Sequence, residues 1–310
     1  MLPRDLDAAG VLPFARRADE LGFDELWVVE DLGFRGGFTQ AAAVLAATSR
    51  LRVGIGVLPA GARNAAFAAM EVATLAQLFP GRLDVGVGHG MPAWMRSVGQ
   101  WPASPLRLLE DHLDALRRLL SGEEVDTGED GPVRLRGVRL DPACVPERVP
   151  PLLAGVRGPR SLAVAGRVAD GTVLAEPVTP EYARAALEQV AATGAHRVVA
   201  YNAAAVHADG AAAVAAVRAG LQWIGEPDWA PHLAPLPFAA DLAALRREAG
   251  TPEEFARRLP EEWVRRLAVT GTPEQARARL EELFAAGVTS AVLIPAGEPV
   301  QALEDLAAVL

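Results

Sequence analysis

One layout governs most of this chain: an amphipathic helix, a glycine or turn, then a short strand that is apolar almost throughout. In VLPFARRADELGFDELWVVED, Phe14, Ala18 and Leu21 share one helix face. Gly22 fits the left-handed position that closes a helix, and ELWVV follows as a strand. TPEQARARLEELFAAGVTSAVLIP repeats the layout. There Thr272 is the N-cap, Pro273 opens the helix, Leu280, Leu283 and Phe284 are inward candidates, and Gly287 stops the helix before AVLI. Further strands are read at RVGIGVL (52–58), RLDVGVG (82–88), PLLAG (151–155), GTVLAE (171–176) and HRVVAYNA (196–203). These runs do not alternate between apolar and polar, so both faces must be covered, as in a parallel sheet flanked by helices. Seven such strands predict an α/β fold, a (β/α)8 TIM barrel that lacks only its first strand. The opening MLPRDL leaves only Leu2–Pro3 for that strand, which is therefore very short or begins upstream of Met1.

Two stretches interrupt the repeat within a single domain spanning 1–310. Residues 122–150 are rich in Gly, Pro and charge and read as a loop or hairpin insertion. Residues 204–267 hold helical segments around WIGEPDWAPHLAPLPF, a loop long enough to be a lid. A packing insertion or a dimer contact fits that loop equally well.

Composition removes several kinds of function. Apolar residues make up 51 % of the chain but aromatic ones only 5 %, so Ala, Leu and Val must build most of the core. A net charge of −9 speaks against non-specific nucleic-acid binding, which needs clustered cations. All 30 basic residues are Arg. A GC-rich genome accounts for that bias, yet the absence of Lys still excludes Schiff-base catalysis, a phosphate-loop lysine and a Ser–Lys dyad. Cys144 is the only cysteine, and the five histidines show no H-x-x-x-H spacing, so no metal site is expected. No apolar run reaches roughly 18 residues and no signal-peptide layout is present, so a cytoplasmic protein without a membrane partner is expected.

The segment RLDVGVGHGMPAWM places glycines at 86, 88 and 90. Neither spacing within it completes G-x-G-x-x-G, since Met91 or Ala93 stands at the last position, and a Walker loop would need Lys. In a (β/α)8 barrel the ligand meets the C-terminal strand ends. That rule selects Glu30 and Asp31, then Gly54, Gly56, Val57, Leu58 and Pro59, then Gly88, His89, Gly90 and Met91. It also selects Gly155, Val156, Arg157 and Gly158, and finally Glu176. By chemistry alone AGVRGPRS is the best anion site, because glycines expose N–H groups at a coming helix N-terminus and Arg157 and Arg160 add charge. A glycine-containing connection with solvated arginines is the plainer alternative.

The stretches ADELGFDELWVVEDL, LRVGIGVLPAGARN, ATLAQLFPGRLDVGVGHG, LLAGVRGPRSLAVAGRVADGTVLAE and VTGTPEQARARLEELFAAGV together resemble the luciferase-like flavin and deazaflavin oxidoreductases. The likeness is strongest to the class that uses coenzyme F420, and the block Leu51–Gly90 carries most of it. The resemblance implies a non-prolyl cis peptide in a bulge of the third strand, falling at Gly56–Val57; otherwise these glycines only let the strand bend. It also implies that the loop at Gly155–Gly158 helps hold a cofactor phosphate. Gly56, Val57, Leu58, Gly88, Gly90, Met91, Gly155, Val156, Arg157, Gly158 and Glu176 are the cofactor-binding candidates. Asp31, His89 and Glu30 are the catalytic candidates. Sugar-phosphate-oxidising relatives have His where Asp31 stands and an acid where Met91 stands, so their acid–base pair is absent. What the resemblance implies is hydride transfer between C5 of coenzyme F420 and a small organic substrate, in a homodimer. An FMN-dependent monooxygenase and a cofactor-binding protein without turnover are the alternatives.

Overall fold

The computed structural model describes residues 1–310. Strands β1 (Glu25–Val28), β2 (Arg52–Pro59), β3 (Leu83–Gly88), β4 (Leu152–Gly155), β5 (Gly171–Leu174) and β6 (Arg197–Val206) pair in chain order, each pair parallel. The long β6 takes two more parallel neighbours. Its last residues, Ala204–Val206, pair with β7 (Val269–Gly271), and Val199–Ala204 pair with β8 (Ser290–Pro295). All seven strands read from the sequence are present. β7 was not among them, because three residues are too few to show a period.

Helices supply the connections. α1 (Ala8–Leu21) precedes β1, α2 (Gly37–Ala47) and α3 (Ala65–Leu78) follow β1 and β2, and α4 (Pro92–Ser97) and α5 (Pro105–Leu120) lie between β3 and β4. α6 (Pro159–Val168) and α7 (Pro180–Val190) flank β5. After β6 come α8 (Gly210–Val217), α9 (Ala230–Leu233), α10 (Ala239–Glu248), α11 (Pro252–Arg258) and α12 (Glu261–Leu267). α13 (Pro273–Ala285) and α14 (Pro299–Leu306) end the order. The tripeptide Thr-Pro-Glu starts three of these helices. In α7, α11 and α13 a Thr side chain (Thr179, Thr251, Thr272) accepts a main-chain N–H, and Pro stands in the first turn, where no N–H partner is needed. Gly22 and Gly287 stop their helices with φ of +99° each, as left-handed caps do. Phe284 is 47 % exposed rather than inward, because the buried stripe of α13 runs through Ala276, Leu280 and Leu283.

The sheet curls. Along the pairing order β1 and β6 are five strands apart, yet the rings of Trp27 and Tyr201 lie 6.0 Å from each other. Trp27, Leu153, Val173, Val199, Tyr201 and Val292 fill the inside of the curl, while the larger core lies between the sheet and its helices. At the outer edges of β8 and β1 the expected first strand is reduced to two bonds. The Met1 amine donates to the Leu293 carbonyl (2.7 Å), and the Leu2 N–H donates to the Trp27 carbonyl (2.9 Å). The 122–150 insertion is a loop pinned like a hairpin by mutual main-chain bonds between Val125 and Val138 (2.7 and 3.0 Å). The second insertion begins only after β6 ends at Val206, and its helices form a hydrophobic cluster of their own around Phe238, Phe255 and Leu267.

Candidate functional site

The C-terminal end of β2 is irregular. Ile55 pairs with Val85 and Leu58 with Val87, so Gly56 and Val57 together face the single residue Gly86. This is a one-residue bulge, and the Gly56–Val57 peptide within it is cis. The glycines around it have a steric reason. A Cβ at Gly86, Gly88 or Gly155 would lie closer than 3.0 Å to the Val57 side chain. A Cβ at Gly54 would strike Trp27, and one at Gly56 would strike the Tyr201 hydroxyl. The alternating glycines of RLDVGVGHG thus form a notch, shared with Gly155, into which Val57 turns. Gly90 is different, since its φ of +72° suits only glycine comfortably before Met91 starts α4.

The two acids after β1 behave differently. Glu30 is committed to structure: one oxygen accepts from the Gly37 N–H (2.7 Å), and both oxygens bind the Arg63 guanidinium. That links β1 to the start of α2 and holds Arg63 over the Phe38 ring. Asp31 instead pairs with Arg4 at 2.6 Å and faces an acidic neighbour, Glu176. Burial pushes the Glu176 carboxyl above its ordinary range; Asp31 adds to this, and Arg157 and Arg4 oppose it.

On the opposite side, α6 starts at Gly158 without any side-chain cap, so its first N–H groups remain free. His89 reaches this turn, with Nε2 3.0 Å from the Ser161 hydroxyl. Burial lowers the His89 pKa while a hydrogen bond to the Pro105 carbonyl opposes the shift. A neutral ring donating to Pro105 leaves Nε2 to accept from Ser161. Arg160 is exposed on the same turn. Arg157 points elsewhere. It donates to the Asp228 carbonyl (3.0 Å) and lies over the Trp229 ring, while Trp229 Nε1 donates to the Glu176 carbonyl (3.0 Å). The second insertion therefore docks on the strand ends through Arg157. His232, fully buried there and stacked on Tyr182, is pushed down to about 3, chiefly by burial. An apolar cavity of about 290 Å³ opens on another part of the molecule, between β1, β8 and the helices α1 and α14.

The sequence profile of luciferase-like monooxygenases matches residues 4–290. This chain belongs to that family. A 5,10-methylenetetrahydromethanopterin reductase of Methanolobus tindarius is 27 % identical over 300 residues, covering 93 % of this chain and 89 % of the relative. Among solved structures, the coenzyme F420 dependent tetrahydromethanopterin reductase from Methanopyrus kandleri superposes with a TM-score of 0.78. It is 19 % identical, with 99 % of this chain and 95 % of that one covered. An F420-dependent secondary alcohol dehydrogenase, in complex with an F420-acetone adduct, gives 0.74 at 20 % identity, over 96 % and 93 %.

In this luciferase-like chain the residues singled out by sequence divide into two groups. Gly56, Val57, Gly88, His89, Gly90, Met91, Gly155 and Gly158 come from adjacent strand ends, and Asp31 and Glu176 interact electrostatically. Leu58 and Val156 are core residues, 4 % and 6 % exposed, so only their main chain is left for a ligand. Glu30 and Arg157 are spent on α2 and on the insertion. Sequence reading missed Ser161, Arg63, Trp229 and Tyr201. Ser161 stood inside the quoted AGVRGPRS run, but nothing local links it to His89, 72 residues away.

Proposed function

We propose that this luciferase-like protein is an oxidoreductase that transfers a hydride between coenzyme F420 and a small organic substrate. The observation that carries the reading is the β2 bulge, bedded in glycines beside the uncapped start of α6. The names of its similar relatives support the choice of cofactor. When bound, F420 supplies the hydride at C5 of its ring. The residues that fit the ring are Gly56 and Val57, with Gly88, Gly90 and Met91 at the next strand end. The groups that fit its phosphate are the main-chain N–H groups of Gly158, Arg160 and Ser161, with the Ser161 hydroxyl, oriented by His89, and exposed Arg160. Asp31 and Glu176 face the substrate side. A carboxyl raised by burial holds a proton closer to neutrality than an ordinary one, so Glu176 is the better proton carrier and Asp31 tunes it. Glu30 orients α2 and Arg63. Met91, standing where some relatives have an acid, supports a substrate other than a sugar phosphate.

The same reading includes a closed (β/α)8 barrel, with Met1–Leu2 between β8 and β1, as one domain over 1–310. It also includes a homodimer. Phe67, Met70 and Leu78 form an exposed apolar stripe on α3, which suits a second copy. No helix is long and apolar enough to cross a membrane. We place the protein in the cytoplasm, where an exposed, unpaired Cys144 is ordinary, and the net charge of −9 speaks against nucleic acid as a partner.

Titration of the purified chain with F420 and with FMN tests the reading, followed by hydride transfer to a panel of aldehydes, ketones and alcohols. Binding of F420 with transfer to at least one class is expected. Binding of FMN alone overturns the cofactor, and F420 binding without transfer to any class overturns the enzyme reading.

A further inference from the structure

Tyr201, on β6, is 4 % exposed, and its buried hydroxyl has no hydrogen-bond partner. Such orphans are rare in folded proteins and call for a reason. The ring meets Trp27 edge-on, with 77° between the planes. Trp27 is fixed from below, where its Nε1 donates to Glu25 (2.8 Å) and Glu25 in turn binds Ser290 and Arg197. Arg197 also binds Asp84, which is fully buried on β3. These anchors tie β1, β3, β6 and β8 together beneath one pair of rings. Directly above the rings stand the two glycines of β2, Gly54 over Trp27 and Gly56 over the Tyr201 hydroxyl. The two glycines of the β2 end therefore rest directly on the Trp27–Tyr201 pair, with no side chain between.

We propose that Tyr201 is a positioning residue for the cofactor platform: its ring sets the height of the Gly56–Val57 bulge, and its hydroxyl fills the space a side chain at position 56 would need. The inference rests on the bulge being the cofactor's seat. It explains why a hydroxyl is kept where it bonds to nothing, since there it acts by volume. Phe at 201 would leave a gap under the bulge, and Ala at 56 would force the bulge up. The two changes compete for one space, so they should compensate.

The test is a double-mutant cycle read by fluorescence titration with F420 and with its deazaflavin ring fragment lacking the phosphate tail. Gly56→Ala is expected to weaken F420 binding roughly thirtyfold or more, and Tyr201→Phe only about three- to tenfold. In the Gly56→Ala background, however, Tyr201→Phe is expected to tighten binding by at least about fivefold, a reversal of sign. The ring fragment should follow the same pattern, and the bound cofactor's visible absorption band should shift in Gly56→Ala and return in the double variant. A double variant that binds no more tightly than Gly56→Ala overturns the proposal. So does a Gly56→Ala loss seen with F420 but not with the ring fragment. If Gly56→Ala does not fold, Tyr201→Leu replaces it. That change removes the flat ring and should weaken binding by about tenfold more than Tyr201→Phe, whereas equal affinities overturn the proposal. If the wild type binds FMN and not F420, the cofactor reading fails while the same cycle, run with FMN, decides the platform. If it binds neither, both readings fall.

Discussion

Val57 shows how a single side chain can dictate the composition of two neighbouring strands. Its isopropyl group needs Gly86, Gly88 and Gly155 to stay without a Cβ. Gly155→Ala is therefore expected to cost about 1–3 kcal/mol of stability, as overpacking does, and to weaken F420 binding in the same titration. A melting curve beside the titration checks both effects. Glu176 makes a second prediction at this scale. Its raised pKa means that folding favours the protonated carboxyl. The stability so gained is complete below the ordinary carboxyl pKa and is lost as pH rises through the raised value. Glu176→Gln cannot ionise, so it should melt above the wild type at about pH 8 and level with it at about pH 4. A melting series across that range decides the matter, and a constant offset would refute it.

The second insertion is the element whose attachment to the strand ends is most open to perturbation. Residues Asp228, Trp229 and His232 fasten it to Arg157, Glu176 and Tyr182. Removing the guanidinium in Arg157→Ala gives up a cation–π contact of about 0.5–2 kcal/mol and one hydrogen bond. Hydrogen exchange over 226–233 should then quicken while β1–β5 keep their protection. Acid should loosen the same attachment. The His232 pKa falls from 6.5 to about 3 on burial, so its contribution is complete above the unfolded value and is lost as pH drops below it. Between pH 7 and pH 4 that loss is on the order of 3 kcal/mol. His232→Phe, which keeps the stack on Tyr182, should flatten the acid limb of urea unfolding by a comparable amount.

At the scale of the whole molecule, α3 turns its alanine-rich face to the sheet and leaves Phe67 and Leu78 each 66 % exposed, with Met70 between them. If this stripe joins two copies, Phe67→Glu with Leu78→Glu should convert the dimer to monomer in sedimentation at unchanged melting temperature. A wild type that sediments as a monomer would remove the reading.

Much of the architecture was legible because it follows from local chemistry. Apolar strands without alternation require cover on both faces, and glycines at 22 and 287 end helices wherever they stand. Those rules placed seven strands, the Thr272 cap and the strand-end residues from sequence alone. The bulge position followed from a resemblance, not from any local rule. Other features depend on groups far apart in the chain. Whether Glu30 is free or bound depends on Arg63, and whether Arg157 faces an anion or the insertion depends on Asp228 and Trp229. The glycines of RLDVGVGHG are the sharpest case. The sequence by itself determined that they are not a nucleotide fingerprint and that they lie at the C-terminal end of a strand, where a barrel's ligand is expected. Only the tertiary structure decided what Gly86 and Gly88 make room for, because Val57 reaches their Cβ positions from β2 and two atoms cannot share one place.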